Sequence, residues 1–191
     1  MPRAHTYALR GSAISPDSAA ESQLVHQVAA GSSDALATLY RLHAAPLFRL
    51  ARRMTSSVED AEDVVHDLFV GLPESIHKYH ERGSLQGWLK RVVVRLALMR
   101  LRATRRRREV ALDDEVSTPS APQTVDDGVS WDLQRAIDTL PDDLRAVLVL
   151  RQAERYTHQE IAALLGITPG ASRVRLSRAV KLVRTALRGR I

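Results

Sequence analysis

Apolar residues recur at helical spacing along most of the chain, and few stretches show the alternation of a strand. The first such run follows a serine cap at Ser32 or Ser33 and continues to Met54, and Pro46 should kink or interrupt it. Two more helices are predicted, one from Ser57 to about residue 72 and one over about residues 85–107. We therefore predict an all-α fold.

The helix over residues 85–107 should have one apolar and one basic side. Its apolar stripe is Leu85, Trp88, Leu89, Val92, Leu96 and Met99. Residues 90–108 contain nine Lys or Arg and no acid, and Arg91, Arg95 and Arg102 share a face. A one-sided surplus of positive charge predicts a polyanion-binding surface.

The C-terminal run predicts two helices joined by a tight turn. Thr157 and Glu160 have the spacing of a capping box, and Gly166 stands where a left-handed residue would end the first helix. Thr168 and Pro169 then begin a second helix. This arrangement is typical of a helix-turn-helix that enters DNA.

The second helix of this motif should pack one face and present a basic face to solvent. Residues 168–191 contain seven Lys or Arg and no acid, whereas an ordinary solvated face mixes the signs of its charges. The early part of the basic face should contact base edges and the later part phosphates. Ser172 lies at the edge of the packing face, and we predict that its buried hydroxyl bonds to the carbonyl of Thr168.

The helix after Ser57 has an acidic face, which allows two interpretations. Asp63 and Asp67 lie one turn apart with His66 beside them, which is the beginning of a metal site. An acidic docking face for a protein partner is favoured, because no second set of ligands faces this helix and it cannot be a third DNA surface.

Composition narrows the function further. The chain has 191 residues with 28 Lys or Arg against 22 Asp or Glu, and a pI near 10.3 favours a polyanionic partner. No apolar run approaches ~20 residues, and the N-terminus lacks the apolar middle of a signal peptide. The chain has no cysteine, so we expect a cytoplasmic protein. It has no nucleophile elbow and no glycine-rich phosphate loop, so we expect that it is not an enzyme and binds no cofactor or metal.

Composition also divides the chain. Residues 109–130 carry six acids, two prolines and no Lys or Arg, so we predict a flexible acidic linker. The linker would join two small helical domains, at residues 33–108 and 131–191. Residues 1–32 should form a flexible N-terminal segment.

These features together resemble the bacterial RNA polymerase sigma factors of the extracytoplasmic-function (ECF) group in the sigma-70 family. AEDVVHDLFV (61–70) is similar to the polymerase-docking motif of region 2, and residues 81–108 are similar to its promoter-melting and −10-recognition segment. Residues 132–188 resemble region 4, whose helix-turn-helix recognises the −35 element. Both halves occur in the family's order, over about residues 33–188.

The resemblance implies that the chain binds core RNA polymerase, mainly its β′ clamp helices, and both double-stranded and melted promoter DNA. The docking residues would be Asp60, Glu62, Asp63, His66, Asp67 and Phe69. The −10 and melting contacts would be Tyr79, His80, Ser84, Trp88, Arg91, Arg95 and Arg102. The −35 contacts would be Thr157, His158, Arg173, Val174, Arg175, Ser177, Arg178, Lys181 and Arg184. An anti-sigma factor would be a further partner, and no membrane contact is expected.

The sequence departs from the family pattern at several positions. His66 replaces the usual Gln of the docking motif, Ser172 replaces the usual Val, and Arg95 and Met99 stand where Asn and Asp are common. Trp88 is a core anchor, a wall for strand separation, or both. Tyr79 and His80 either stack on a flipped base or are ordinary aromatic residues of the loop.

Three other classes of function fit single features of the sequence. A helix-turn-helix regulator without polymerase docking would need a dimerisation or ligand domain, which residues 33–108 do not suggest. A nuclease or recombinase would need the carboxylates to bind metal. An RNA-binding helical protein fits the charge alone.

Overall fold

The computed structural model of the chain describes residues 16–79, 84–110 and 131–188, and the elements of this part are helical, which confirms the all-α prediction. The N-terminal half contains α1 (Pro16–Ala29), α2 (Ser33–Thr55), α3 (Val58–Val70), α4 (Leu72–Ser75), a 3-10 turn (Ile76–Lys78) and α5 (Leu85–Val110). The C-terminal half contains α6 (Trp131–Asp138), α7 (Asp142–Leu148), a π-helical turn (Val149–Ala153), α8 (His158–Leu165) and α9 (Pro169–Arg188).

The helix boundaries follow the capping signals of the sequence. The Ser32 and Ser57 side chains accept backbone N–H bonds at the starts of α2 and α3. At α8, Thr157 and Glu160 form both bonds of a capping box, and Gly166 ends the helix with φ of 67°. Helix α2 continues through Pro46, so the predicted break is absent.

The prediction of a flexible segment over residues 1–32 is wrong for Pro16–Ala29, which form α1. Val25 and Val28 are buried where α1 packs on α2, with exposed fractions of 7% and 1%. Across the same contact, His43 Nε2 lies 3.4 Å from Glu21 Oε1. The apolar face of α1 is short, so its periodic signal in the sequence is weak. The face is enough to stabilise the helix because α2 covers it. Residues 1–15 lie outside the described part.

The buried face of α5 coincides only in part with the predicted stripe, at Leu85 and Leu89. The buried positions are Leu85, Leu89, Val93, Val94, Ala97 and Leu98. Met99 is instead 63% exposed, and Trp88, Val92 and Leu96 are half-buried. The buried arc is wide because α5 packs against both α2 and α3. The helix continues to Val110, so residues 109–110 belong to it, and residues 111–130 of the predicted linker lie outside the described part.

The two halves pack against each other. Val147 and Leu150 after α6, and Ile161 of α8, belong to the same cluster of buried apolar residues as the interiors of α2, α3 and α5. A second cluster inside the C-terminal half joins α6 and α7 to Ala179 and Val183 of α9. The C-terminal half therefore has an apolar surface on each side of α7, one turned to α9 and one to the N-terminal half.

Within the described ranges, no helix combines the length and the apolar character that a bilayer-spanning segment needs.

Candidate DNA and polymerase interfaces

The basic face of α9 is exposed and borders a groove. Thr168 Oγ1 accepts the Ala171 N–H at 3.1 Å, which fixes the start of the helix. The predicted contacts Arg173, Val174, Ser177, Arg178, Lys181 and Arg184 are all exposed. A groove of about 580 Å³ runs along this side, and its lining includes His158, Arg173, Ser177, Lys181, Arg184 and Arg188.

The structure places Arg175 apart from this set. Its Nε atom lies 3.4 Å from Asp143 Oδ2 on α7. At ~100° per residue, Arg175 stands on the far side of the helix from Ser177 and Lys181, so its guanidinium faces the protein.

The two helices of the helix-turn-helix are joined by a polar contact. Ser172 is fully buried, and its Oγ lies 2.9 Å from His158 Nδ1. The partner predicted for this hydroxyl was the carbonyl of Thr168, but that carbonyl accepts the Ser172 backbone N–H at 3.0 Å. Desolvation by burial is the main cause that lowers the pKa of His158, and the charges of Arg151 and Arg173 lower this pKa further. The environment of the ring therefore favours its neutral form in the free protein.

Thr157 is exposed at the start of α8, but its hydroxyl is already engaged. Its Oγ1 donates to the Glu160 carboxylate at 2.7 Å and accepts the Glu160 N–H at 3.2 Å. Bonds from the Thr157 backbone N–H and side chain lower the pKa of Glu160. The start of α8 is thus fixed by a complete capping box.

Helix α5 presents its basic face beside an apolar edge. Arg91, Arg95 and Arg102 are exposed, and half-buried Trp88 and exposed Met99 lie on the same side. Ser84 accepts the Gly87 N–H at 3.1 Å and so begins this helix.

Trp88 packs against another aromatic side chain and stays partly accessible. The Tyr79 ring packs against it with centroids 5.9 Å apart and planes tilted by 57°. Both side chains are half-buried, so each anchors the packing and keeps an accessible edge. His80, the other aromatic candidate, lies outside the described residues.

The acidic face of α3 divides into a paired and an exposed part. Arg100 of α5 donates from Nε to Asp60 Oδ1 at 2.8 Å and also bonds to Asp63. The bond with Asp60 is the main cause that raises the pKa of Arg100. Asp63 is itself exposed, and the other exposed residues of α3 are Glu59, Glu62, His66, Asp67 and the 64% exposed Val70.

Phe69 is a core residue, which corrects its assignment as a docking contact. It is 6% exposed, and the Tyr40 ring covers it edge-on with centroids 4.9 Å apart. Tyr40 of α2 is itself 49% exposed. The helical spacing of Tyr40 fits the buried side of α2, so the sequence did not identify this residue as exposed. Which edge of α2 stays exposed depends on how α3 packs against it.

The metal interpretation of α3 finds no support in residues 16–79, 84–110 and 131–188. No three His, Asp or Glu side chains there are placed to hold a metal ion. One of the candidate ligands, Asp63, is bonded to Arg100.

Comparison with known proteins decides the family. Residues 39–107 match Sigma-70 region 2, and residues 130–183 match Sigma-70, region 4. The ECF RNA polymerase sigma factor SigM of Mycobacterium tuberculosis is 30% identical over 159 residues, which cover 83% of this chain and 80% of SigM. The chain belongs to the ECF sigma factors of the sigma-70 family. As an ECF sigma factor, it binds core RNA polymerase and promoter DNA and directs promoter-specific initiation of transcription.

Other relatives agree with this assignment. The sigma factor CarQ of Myxococcus xanthus is 30% identical over 159 residues, covering 82% of this chain and 91% of CarQ. SigE of Mycolicibacterium smegmatis is 34% identical over 155 residues, which cover 78% of the present chain but only 60% of SigE. Among solved structures, RpoE of Bartonella quintana shares the fold with a TM-score of 0.62 and 21% identity, covering 79% of this chain and 95% of RpoE.

Proposed function

We propose that this sigma factor divides its tasks among three helices: α3 docks on core polymerase, α5 contacts the −10 element, and α9 contacts the −35 element. The observation that carries this proposal is the separation of charge, with the exposed acids on α3 and the exposed arginines on α5 and α9. Opposite charges attract different partners, so one chain can hold polymerase and DNA at the same time.

For the −35 element, the early residues of α9 are the base contacts. Arg173 and Ser177 carry donors for base edges, and the exposed Val174 suits a thymine methyl group. Lys181 and Arg184 lie later in the same groove and would hold phosphates. His158 lines the groove from α8.

For the −10 element, the mixed surface of α5 suits an unpaired strand. Arg91, Arg95 and Arg102 would contact the phosphates of the DNA strand. Trp88 and Met99 offer apolar surface for its bases. A basic groove combined with stacking platforms is the usual way to bind single strands.

For polymerase docking, the exposed part of the α3 face has the anatomy of a protein interface. Val70 supplies an apolar centre, and Glu62, His66 and Asp67 supply a polar rim. The β′ clamp helices are the partner that fits the similarity to region 2. Asp60 and Asp63 would act mainly by holding Arg100 in place.

Other parts of the proposal follow from this role. The chain would act in the cytoplasm, where core polymerase and promoters are, and would itself catalyse no reaction. An anti-sigma factor is a proposed partner, since the similarly folded RpoE was solved in complex with the anti-sigma factor NepR.

The docking assignment is tested with the full-length double variant Glu62→Gln/Asp67→Asn. Neither substitution touches the Arg100 ion pairs, so the melting temperature should stay that of the wild type. Capture of core polymerase should weaken, because each charge that becomes buried in such a contact is worth about 2–5 kcal/mol. The matched control is Glu74→Gln, which changes an exposed acid of α4.

Undiminished polymerase capture by the double variant would show that α3 is not the docking surface. Equal weakening by Glu74→Gln would show that overall charge, and no specific face, governs the binding.

A further inference from the structure

Among the described residues, the buried polar or charged side chains are His43, Arg52, Thr55, Arg145 and Ser172. Arg145 of α7 serves the packing: its Nε donates to the main-chain carbonyl of Met54 at 3.1 Å. Because α2 ends at Thr55, that carbonyl is one of the last four, which have no partner within the helix, so Arg145 caps α2. Ser172 differs from the others because its partner, His158, lines the groove proposed for the −35 duplex.

The bond between Ser172 and His158 determines which ring nitrogen carries the hydrogen. Ser172 is fully buried, and among the described residues its hydroxyl forms one hydrogen bond, the 2.9 Å contact with His158 Nδ1. If Nδ1 carried a hydrogen, the Ser172 hydroxyl would be a buried donor without an acceptor, which is costly. Nδ1 is therefore the acceptor, and the hydrogen-bond network assigns the hydrogen of the neutral ring to Nε2.

The other ring nitrogen of His158 is left to bind a ligand. Nδ1 and Nε2 lie on different edges of an imidazole, so a ring whose Nδ1 bonds to the buried hydroxyl directs Nε2 away from Ser172. Nε2 has no hydrogen-bond partner within the part of the chain that the structure describes. The ring is half-buried and lines the groove together with Arg173, Lys181 and Arg184. A fixed N–H donor thus stands beside the cations of that groove.

We propose that Ser172 is a positioning residue for DNA binding, which holds the His158 ring so that its Nε2 hydrogen donates to a phosphate oxygen of the −35 duplex. The inference rests on the proposed function of the α9 groove as the −35 surface. The acceptor is a phosphate because the first helix of a helix-turn-helix crosses the DNA backbone, and His158 is the first residue of that helix. Phosphate contacts carry no sequence information of their own, so Ser172 contributes to affinity and not to preference.

The gain from Ser172 is preorganisation of the ring before DNA binds. Without the hydroxyl, the His158 ring can rotate and exchange its hydrogen between Nδ1 and Nε2, so only a fraction of the molecules presents the donor to the groove. The apparent affinity falls by that fraction. A loss of roughly threefold to tenfold would mean that about a third to a tenth of the rings remain aligned.

Ser172→Val and Ser172→Thr form a matched pair, because Val and Thr have nearly the same shape and differ in the hydroxyl. A role in packing alone predicts the same behaviour from both. At about pH 8, where an ordinary histidine is neutral, Ser172→Val should weaken the binding of full-length protein to −35 duplexes roughly threefold to tenfold, alike for all sequences. Ser172→Thr should keep most of the wild-type affinity. Ser172→Ala, which adds no bulk to the buried site, should lose as much as Ser172→Val. Equal affinities of the Val and Thr variants, or wild-type affinity in Ser172→Ala, would overturn the proposal.

The effect of Ser172 must act through His158, which a double-mutant cycle tests. His158→Phe keeps a ring but has no donor, so in this background the Val and Thr variants of Ser172 should bind −35 DNA equally. A difference between them that persists in His158→Phe would reject the positioning role, because the hydroxyl would then act by another route.

Nitrogen NMR of the imidazole rings tests the position of the hydrogen without DNA, and the spectrum of His158→Phe identifies the signals of His158. At the same pH, the wild type and Ser172→Thr should carry the hydrogen on Nε2, whereas Ser172→Val should show a mixture of both forms. Hydrogen on Nδ1 in the wild type would contradict the proposal.

Arg173→Ala distinguishes a failure of this inference from a failure of the proposed −35 surface. If Arg173→Ala weakens −35 binding while the Val and Thr variants of Ser172 bind alike, the role of Ser172 alone is rejected. If Arg173→Ala and all variants of Ser172 bind like the wild type, the groove is not the −35 surface and the inference fails with it.

Discussion

His158, the first residue of α8, hydrogen-bonds to the buried hydroxyl of Ser172 in the first turn of α9, with 2.9 Å between Nδ1 and Oγ. The bond joins the two helices of the helix-turn-helix at the groove that should receive the −35 duplex. It also orients a titratable ring toward that groove. The position usually held by valine in this family thus carries a hydrogen bond here, besides packing.

The first prediction concerns the pH dependence of −35 binding. The pKa of His158 is lowered in the free protein, and nearby phosphates would raise it, so binding should take up a proton. Affinity for −35 DNA should therefore increase as pH falls from 8 to 6. In His158→Gln this increase should disappear, and in Ser172→Ala it should shrink, because the ring loses its partner. Thr38→Ala, a hydroxyl deletion on α2, is the control. An identical pH profile in His158→Gln would refute the prediction.

The second prediction separates base contacts from phosphate contacts on α9. Arg173→Ala should cost about 1–3 kcal/mol and relax the preference among −35 variants. Lys181→Ala should weaken all sequences alike and lower the salt slope by about one unit. Arg175→Ala, which removes the side chain facing Asp143, should leave both quantities unchanged. Fluorescence anisotropy at several salt concentrations gives both quantities, and unchanged preference in Arg173→Ala would remove it from the base contacts.

The third prediction concerns stability at acid pH. Burial lowers the pKa of His43 below its usual value near 6.5, and Glu21 opposes this only in part. Between the folded and unfolded pKa values, the unfolded chain binds a proton at His43 that the folded chain does not bind. The stabilisation is complete above about pH 6.5 and is lost as pH falls toward the folded pKa. Urea unfolding at pH 7.5 and 5.5 should show this loss in the wild type and in His66→Gln, whose histidine is exposed. The loss should be smaller in His43→Leu; an equal loss there would assign it to other groups.

Local signals in the sequence predicted the local structure well. The capping box at Thr157, the turn at Gly166 and the cap at Ser57 each depend on residues within one or two turns of each other, and all three are present. The exposed basic face of α9 followed in the same way from helical periodicity, because only one side of α9 packs.

Features that depend on distant residues were not predictable in this way. The buried face of α5 is set by α2 and α3, so Met99 could not be distinguished from a core residue by spacing. The partner of Ser172 is 14 positions away, and the acids paired with Arg100 are 40 and 37 away. Helix α1 needed α2 to cover its few apolar residues, which no local pattern reveals.

The cap that Arg145 places on the Met54 carbonyl has a consequence for exchanging parts among ECF sigma factors. A chimaera that joins residues 16–110 of this chain to region 4 of a relative inherits the carbonyl but receives the arginine only if the donor has one there. Without it, a buried main-chain acceptor loses its donor, at a cost of about 1–3 kcal/mol, and the contact between the two halves is weaker by that amount. Promoter specificity in this chain is therefore not freely modular: a new −35 reader must also fit the end of α2.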